Sequence, residues 1–181
     1  MMRLFVAIPL PVDVRAQLAT LQSGLSNARW IDGANMHLTM RFIGEVPEPD
    51  AREIDSVLSE IVEPAIPIEL NGIGYFDRRG SVHSLWVRVK KTDALMHLQS
   101  KIERALVNYG LEPEKRKYTP HVTLARVRDT PVERLAPWLE DQGGFFVPEF
   151  LATQFVLVET FRGHGAAKYT PISEYDLYQP L

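Results

Sequence analysis

"YTPHVTLARV", Tyr118 to Val127, and "NMHLTMRFIG", Asn35 to Gly44, share one pattern: His-x-Thr-x inside a run rich in apolar residues. Such a run reads as a β-strand, in which successive side chains leave on opposite faces. His37 and Thr39 then share one face, while Leu38, Met40 and Phe42 take the other; His121 and Thr123 pair likewise against Val122 and Leu124. Each strand offers an imidazole and a hydroxyl side by side over an apolar back. Nine of the 181 residues are Thr and five are His, so two such matches by chance have a probability of about two or three per cent.

The same elements surround both motifs. "RLFVAI" reads as a strand, and Val14, Leu18, Leu21 and Leu25 recur on one helical face. The first motif strand runs from Met36 to Ile43. Ile54, Val57, Leu58 and Ile61 mark a second helix, followed by the strand "IPIELNGI" and a turn at "YFDRRGS". The rhythm then restarts with strand "SLWVRV", a helix from Asp93 to Tyr109 capped by Gly110, the second motif strand, a short helix near Val132 to Glu140 and strand "TQFVLVET". Strand, helix, His-x-Thr strand, helix, strand therefore occurs twice. That repetition predicts a duplicated, pseudo-twofold structure, in a chain whose length suits one domain or two tightly joined lobes.

Composition bounds the function. The 45% hydrophobic and 24% charged residues are those of an ordinary soluble globular protein, and no apolar run is long enough to span a bilayer. The opening "MMRLFVAIPLPVDV" is cut short by Pro9 and Pro11 and reads as a strand and turn rather than a signal peptide. The absence of cysteine excludes disulfides, thiolate metal sites and a cysteine nucleophile, and fits a cytoplasmic location. A net charge of −3 argues against a broad surface coating nucleic acid, whereas a small anionic substrate or the end of an RNA needs only a local basic pocket.

Two imidazoles and two hydroxyls across one cleft suit phosphodiester chemistry. One imidazole accepts a proton while the other donates one near neutral pH, and the threonine hydroxyls donate to nonbridging phosphate oxygens. On the extended motifs "YTPHVTLAR" and "HLTMRFIGEV", together with "RLFVAI" and "SLWVRV", the chain resembles the two-histidine (2H) phosphoesterases, and among them the RNA 2',3'-cyclic phosphodiesterases, also called 2'-5' RNA ligases. The resemblance implies a single bilobal α+β domain over residues 1–181, in which two antiparallel sheets flank a central cleft, with helices outside. It implies His37 as proton donor, His121 as proton acceptor, Thr39 and Thr123 as phosphate ligands, and no metal or other cofactor. It implies RNA ends bearing a 2',3'-cyclic phosphate as substrate, tRNA fragments among them, hydrolysed to a 2'-phosphate by a monomeric enzyme. The reverse reaction joins tRNA halves through a 2'-5' bond without ATP.

Other residues are read individually. Arg126 is a candidate phosphate ligand, although strict alternation puts it opposite His121 unless the strand bends near Ala125. Arg41 has the parity of His37 and Thr39, but exposed strand arginines are common. Tyr75 and Phe76, beside Arg78 and Arg79, are candidate base-stacking contacts, while Trp86 reads as core. The run "EKRKY", Glu114 to Tyr118, offers a basic lip before the second motif. His97, on the polar side of its helix, reads as solvent-facing, and neither His83 nor His164 is assigned to substrate. Alternative functions are a phosphodiesterase of small cyclic nucleotides, a noncatalytic module binding RNA ends, and a metal-dependent hydrolase, which lacks an obvious third ligand. The sequence contains no Walker sequence, H-E-x-x-H or G-x-S-x-G.

Overall fold

Strand β1, Met2–Pro9, is buried on both faces: Leu4, Val6 and Ile8 point into the main core, and Phe5 and Ala7 into a second, smaller cluster with Val156 and Val158. A strand covered on both sides belongs inside a sheet, and β1 lies between two antiparallel neighbours. The structure, a computed structural model, describes residues 1–179. After β1 come α1 (Val12–Ala19), β2 (Ala28–Trp30), β3 (His37–Val46), α2 (Glu48–Ser59), β4 (Ile66–Arg78) and β5 (Ser81–Val89). The chain continues through α3 (Asp93–Tyr109), β6 (His121–Pro131), α4 (Val132–Gln142), β7 (Phe146–Ala152), β8 (Gln154–Phe161) and β9 (Lys168–Asp176).

The strands form two sheets, in the orders β3-β1-β8-β9 and β2-β6-β5-β4-β7, with every neighbour antiparallel. The repeat predicted from sequence corresponds to β1-α1-β3-α2-β4 and β5-α3-β6-α4-β8. Within each sheet the first two strands of one repeat pair together, and the third strand comes from the other repeat: β8 beside β1, and β4 beside β5. This exchange ties the two halves together. The motif strands β3 and β6 lie at corresponding places in the two sheets and contact each other.

Helices cover the outer faces. In α3 the Thr92 hydroxyl caps the N-terminus by accepting from the Leu95 N–H at 3.2 Å, and Leu95, Leu98, Ile102 and Leu106 form a buried stripe at helical spacing. The helix ends at Gly110, which adopts a positive φ. Ala51, Ile54 and Leu58 play the same part in α2. Each fully buried leucine or isoleucine contributes about 1.5–3 kcal/mol relative to exposure, and these residues join both sheets in one core.

Two expectations differ from the structure. The first helix stops at Ala19, so Leu21 is buried in the turn that follows and Leu25 packs only partly against the core. The "YFDRRGS" stretch is not all turn: β4 continues through Tyr75 and Phe76 to Arg78, and a tight hairpin at Arg79–Gly80 leads to β5. Trp86 is buried, as expected, and its indole lies against Gly74 on the neighbouring strand, where a Cβ would stand 2.2 Å from the ring. Only glycine allows that approach.

Candidate active site

β3 and β6 present their motifs in the same way. His37 and Thr39 lie opposite Pro9 and Ala7 of β1, and His121 and Thr123 lie opposite Arg88 and Trp86 of β5. All four motif side chains are half-buried. The Nδ1 of His37 bonds the carbonyl of Asn35 at 3.0 Å, and the Nδ1 of His121 bonds that of Thr119 at 2.6 Å. A carbonyl only accepts, so each Nδ1 carries a hydrogen and each Nε2 is left as the nitrogen for chemistry. The chain makes this contact the same way twice, two residues before each histidine.

Aromatic rings flank both imidazoles. Phe5 and Tyr169 stand 6.0 and 5.9 Å from His37, and Phe76 and Trp86 stand 5.0 and 5.5 Å from His121. Burial against these surfaces lowers the affinity of both imidazoles for a proton. For His37 the charge of Arg15 lowers it further and the Asn35 bond opposes the shift; for His121 Arg126 and Thr119 act correspondingly. Both pKa values lie below the usual 6.5. An anion between the rings raises them again, because it stabilises the imidazolium.

A β-bulge decides which arginine reaches this face. Ala7 pairs with Thr39 and Val6 with Arg41, leaving Met40 unpaired; Trp86 pairs with Thr123 and Leu85 with Ala125, leaving Leu124 unpaired. The extra residue follows Thr in both motifs and reverses the alternation beyond it. Met40 and Arg41 are consequently both buried, as are Leu124 and Ala125. Phe42 and Arg126, five residues after their histidines, emerge on the histidine face. Arg126 is exposed opposite Ser84, and its charge acts on His121. Phe42 is exposed and packs on Phe5 at 5.8 Å.

Arg41, which parity alone aims at the cleft, instead pairs with Glu103 of α3 and donates to the carbonyls of Phe42 and Glu112. Burial would raise the Glu103 carboxyl, but hydrogen bonds from Arg41 and the Glu114 N–H hold it below its ordinary range. Tyr75 and Phe76 also separate. Phe76 reaches His121, whereas Tyr75 pairs with Leu85 on the opposite face of the sheet. His97 is an exposed partner of Glu63 at 3.2 Å, His83 is exposed and stacks on Phe76, and His164 is exposed in the loop before β9.

Sequence reading missed Arg15, Phe5 and Tyr169. Arg15 sits on α1, and its Nε is buried without a hydrogen-bond partner among the described residues. Phe5 reads only as part of an apolar strand until β1 is known to be buried on both faces. Among the described residues no group of three or more His, Asp or Glu side chains is arranged to hold a metal ion, and no helix is long and apolar enough to cross a membrane.

The sequence matches the family described as the 2'-5' RNA ligase superfamily over residues 10–164. It is 35% identical over 136 residues to the RNA 2',3'-cyclic phosphodiesterase of Thermotoga maritima, covering 72% of each chain. It is 31% identical over 130 residues to the RNA 2',3'-cyclic phosphodiesterase of Archaeoglobus fulgidus, covering 70% of this chain and 73% of that one. The fold matches the crystal structure of E. coli LigT complexed with 3'-AMP with a TM-score of 0.78 and 26% identity, over 98% of this chain and 99% of that one. With a family match across most of its length and relatives at these identities, the chain belongs to the 2'-5' RNA ligase superfamily.

Proposed function

We propose that the protein is an RNA 2',3'-cyclic phosphodiesterase that opens the cyclic phosphate at an RNA end to a 2'-phosphate, using His37 and His121 as its acid and base. The observation that carries this reading is the duplicated carbonyl contact, which leaves two equivalent Nε2 atoms free on the two motif strands. The names of the Thermotoga and Archaeoglobus relatives support the substrate class.

In the proposed reaction the His121 Nε2 removes a proton from water, which attacks phosphorus in line with the departing 3' oxygen. The His37 Nε2 protonates that oxygen. Burial and Arg126 favour the neutral form of His121, the form that acts as base. His37 gains its proton when the substrate's negative charge enters beside it. The Thr39 and Thr123 hydroxyls and the Arg126 guanidinium donate to the nonbridging oxygens as charge grows there. Run in reverse, the two histidines exchange roles and a 2'-5' linkage forms. The enzyme is proposed to act as a monomer in the cytoplasm, with tRNA fragments among its substrates.

The test is incubation with an oligoribonucleotide ending in a 2',3'-cyclic phosphate, in the presence of a chelator, with the product followed by phosphorus NMR. A 2'-phosphate is expected. A 3'-phosphate would reverse the leaving group, and no turnover would overturn the reading.

A further inference from the structure

Beside His121 lies a cavity of about 490 Å³, lined by Asn71, Arg88, Val89, Lys90, Lys91, Thr119 and Pro120. Its wall thus includes the residue whose carbonyl holds the His121 ring and the residue joining it to the histidine. Arg88 is the direct strand partner of His121, and directly opposed side chains in an antiparallel pair leave on the same face. The Arg88 guanidinium extends over β4 at Gly72, where a Cβ would stand 3.4 Å from its Nη1. Gly72 also has a φ of +87°, so a side chain there is disfavoured twice over.

The cavity carries three cations, Arg88, Lys90 and Lys91, in a protein whose net charge is −3. One carboxylate faces them: Glu69 stands 3.8 Å from the Lys90 Nζ. Neither Arg88 nor Lys91 pairs with a carboxylate among the described residues. Arg88 and Lys91 are both exposed, so they are free to meet an anion. The exposed Lys115, Arg116 and Lys117 lie on the segment that leads into Thr119 and continue the basic surface along the chain.

We infer that this cavity is a second phosphate subsite, which binds the internucleotide phosphodiester immediately 5' of the cyclic phosphate and makes the enzyme prefer oligoribonucleotides to cyclic mononucleotides. The inference rests on the proposed RNA-end activity. The cyclic phosphate occupies the position between the histidines, and the strand then leaves past His121 and Pro120 into the cavity. Its next phosphate meets Arg88 and Lys91, with Asn71 and Thr119 as neutral hydrogen-bonding groups. Single-stranded RNA held this way is recognised by backbone charge, so the subsite adds affinity without selecting a base.

Binding is measured with three ligands: adenosine 2'-phosphate, a ribotrinucleotide ending in a 2'-phosphate, and the same trinucleotide with its last internucleotide linkage made an uncharged methylphosphonate. Turnover is measured in parallel on the corresponding cyclic phosphates. The wild type is expected to bind the charged trinucleotide about tenfold more tightly than either other ligand. Arg88→Ala/Lys91→Ala removes that preference, and the slope of log Kd against log salt for the trinucleotide becomes shallower by about 0.7, the value for one phosphate neutralised on a single strand. Lys91→Glu, at an exposed position beyond the end of β5, produces the same loss of preference without touching the sheet. A wild type that does not distinguish charged from uncharged linkages overturns the subsite, as does a variant that loses affinity equally for all three ligands. Absence of turnover on every cyclic phosphate instead contradicts the proposed activity, while the binding series still decides the subsite.

Discussion

The Tyr118 hydroxyl donates a 2.9 Å hydrogen bond to the main-chain carbonyl of Thr39, so a residue three positions before the second histidine holds the backbone of the first motif. Burial raises the pKa of the phenol far above neutrality, and it remains a donor at every working pH. The bond joins β3 to the segment that leads into β6, and so ties together the two strands whose alignment fixes the spacing of the histidines. Tyr118→Phe is expected to cost about 1–3 kcal/mol, because the carbonyl loses its partner in a buried place. Turnover should fall roughly tenfold with a smaller change in KM, since misplacement of the motif acts on the reacting geometry. Thermal unfolding and steady-state kinetics check both effects; unchanged turnover would show that the two motifs hold their spacing without this strut.

Arg126 and Arg41 provide a contrast between two arginines near the two motifs. Arg126→Ala is expected to lower kcat/KM by about a hundredfold or more, the scale for losing a donor to a developing anion. It should also move the acid limb of the pH–rate profile upward, because the Arg126 charge depresses the His121 pKa. Arg126→Lys should restore the limb but only part of the rate. Arg41→Ala leaves Glu103 without its partner in a half-buried site and is expected to cost about 1–3 kcal/mol of stability with the limb unmoved. Equal limb positions in Arg126→Ala and the wild type would remove Arg126 from the neighbourhood of the base.

The histidines also make stability depend on pH. Their folded pKa values lie below 6.5, so between the folded and unfolded values the unfolded chain binds more protons. Their contribution is fully present above about 6.5 and is lost as pH falls through that value toward the folded pKa values. The melting temperature should therefore drop between about pH 7.5 and 5, and should drop less in His37→Asn/His121→Asn. Added phosphate should offset the drop in the wild type by stabilising the imidazolium forms. The same slope in the wild type and the double variant would place the titration elsewhere.

Much of this site is legible in the sequence because strand alternation is a strong rule. It puts His37 beside Thr39 and His121 beside Thr123, and the repeated order of elements sets the two motifs in equivalent surroundings. The bulges at Met40 and Leu124 are not legible, since neither carries the glycine that often marks one, and they reverse the parity of Arg41 and Arg126. β7 and β9 escape the alternation rule for another reason. Pro148 and Pro171 interrupt them, which is tolerated because both strands lie at sheet edges. β2 has three residues, too few for a pattern. The exchange of β4 and β8 between repeats depends on pairing between distant segments, to which local sequence is blind.

The central claim, that His37 is the acid and His121 the base, is tested most directly by replacing the 3' oxygen of the cyclic substrate with sulfur. A thiolate leaves without help from a proton donor, whereas the attacking water still needs a base. On the oxygen substrate His37→Ala and His121→Ala should each lose at least about a hundredfold in turnover. On the sulfur substrate His37→Ala should recover to within about tenfold of the wild type, and His121→Ala should remain as impaired as before. Recovery of His121→Ala instead would exchange the roles, and recovery of neither variant, or full activity of either on the oxygen substrate, would contradict acid–base catalysis by this pair.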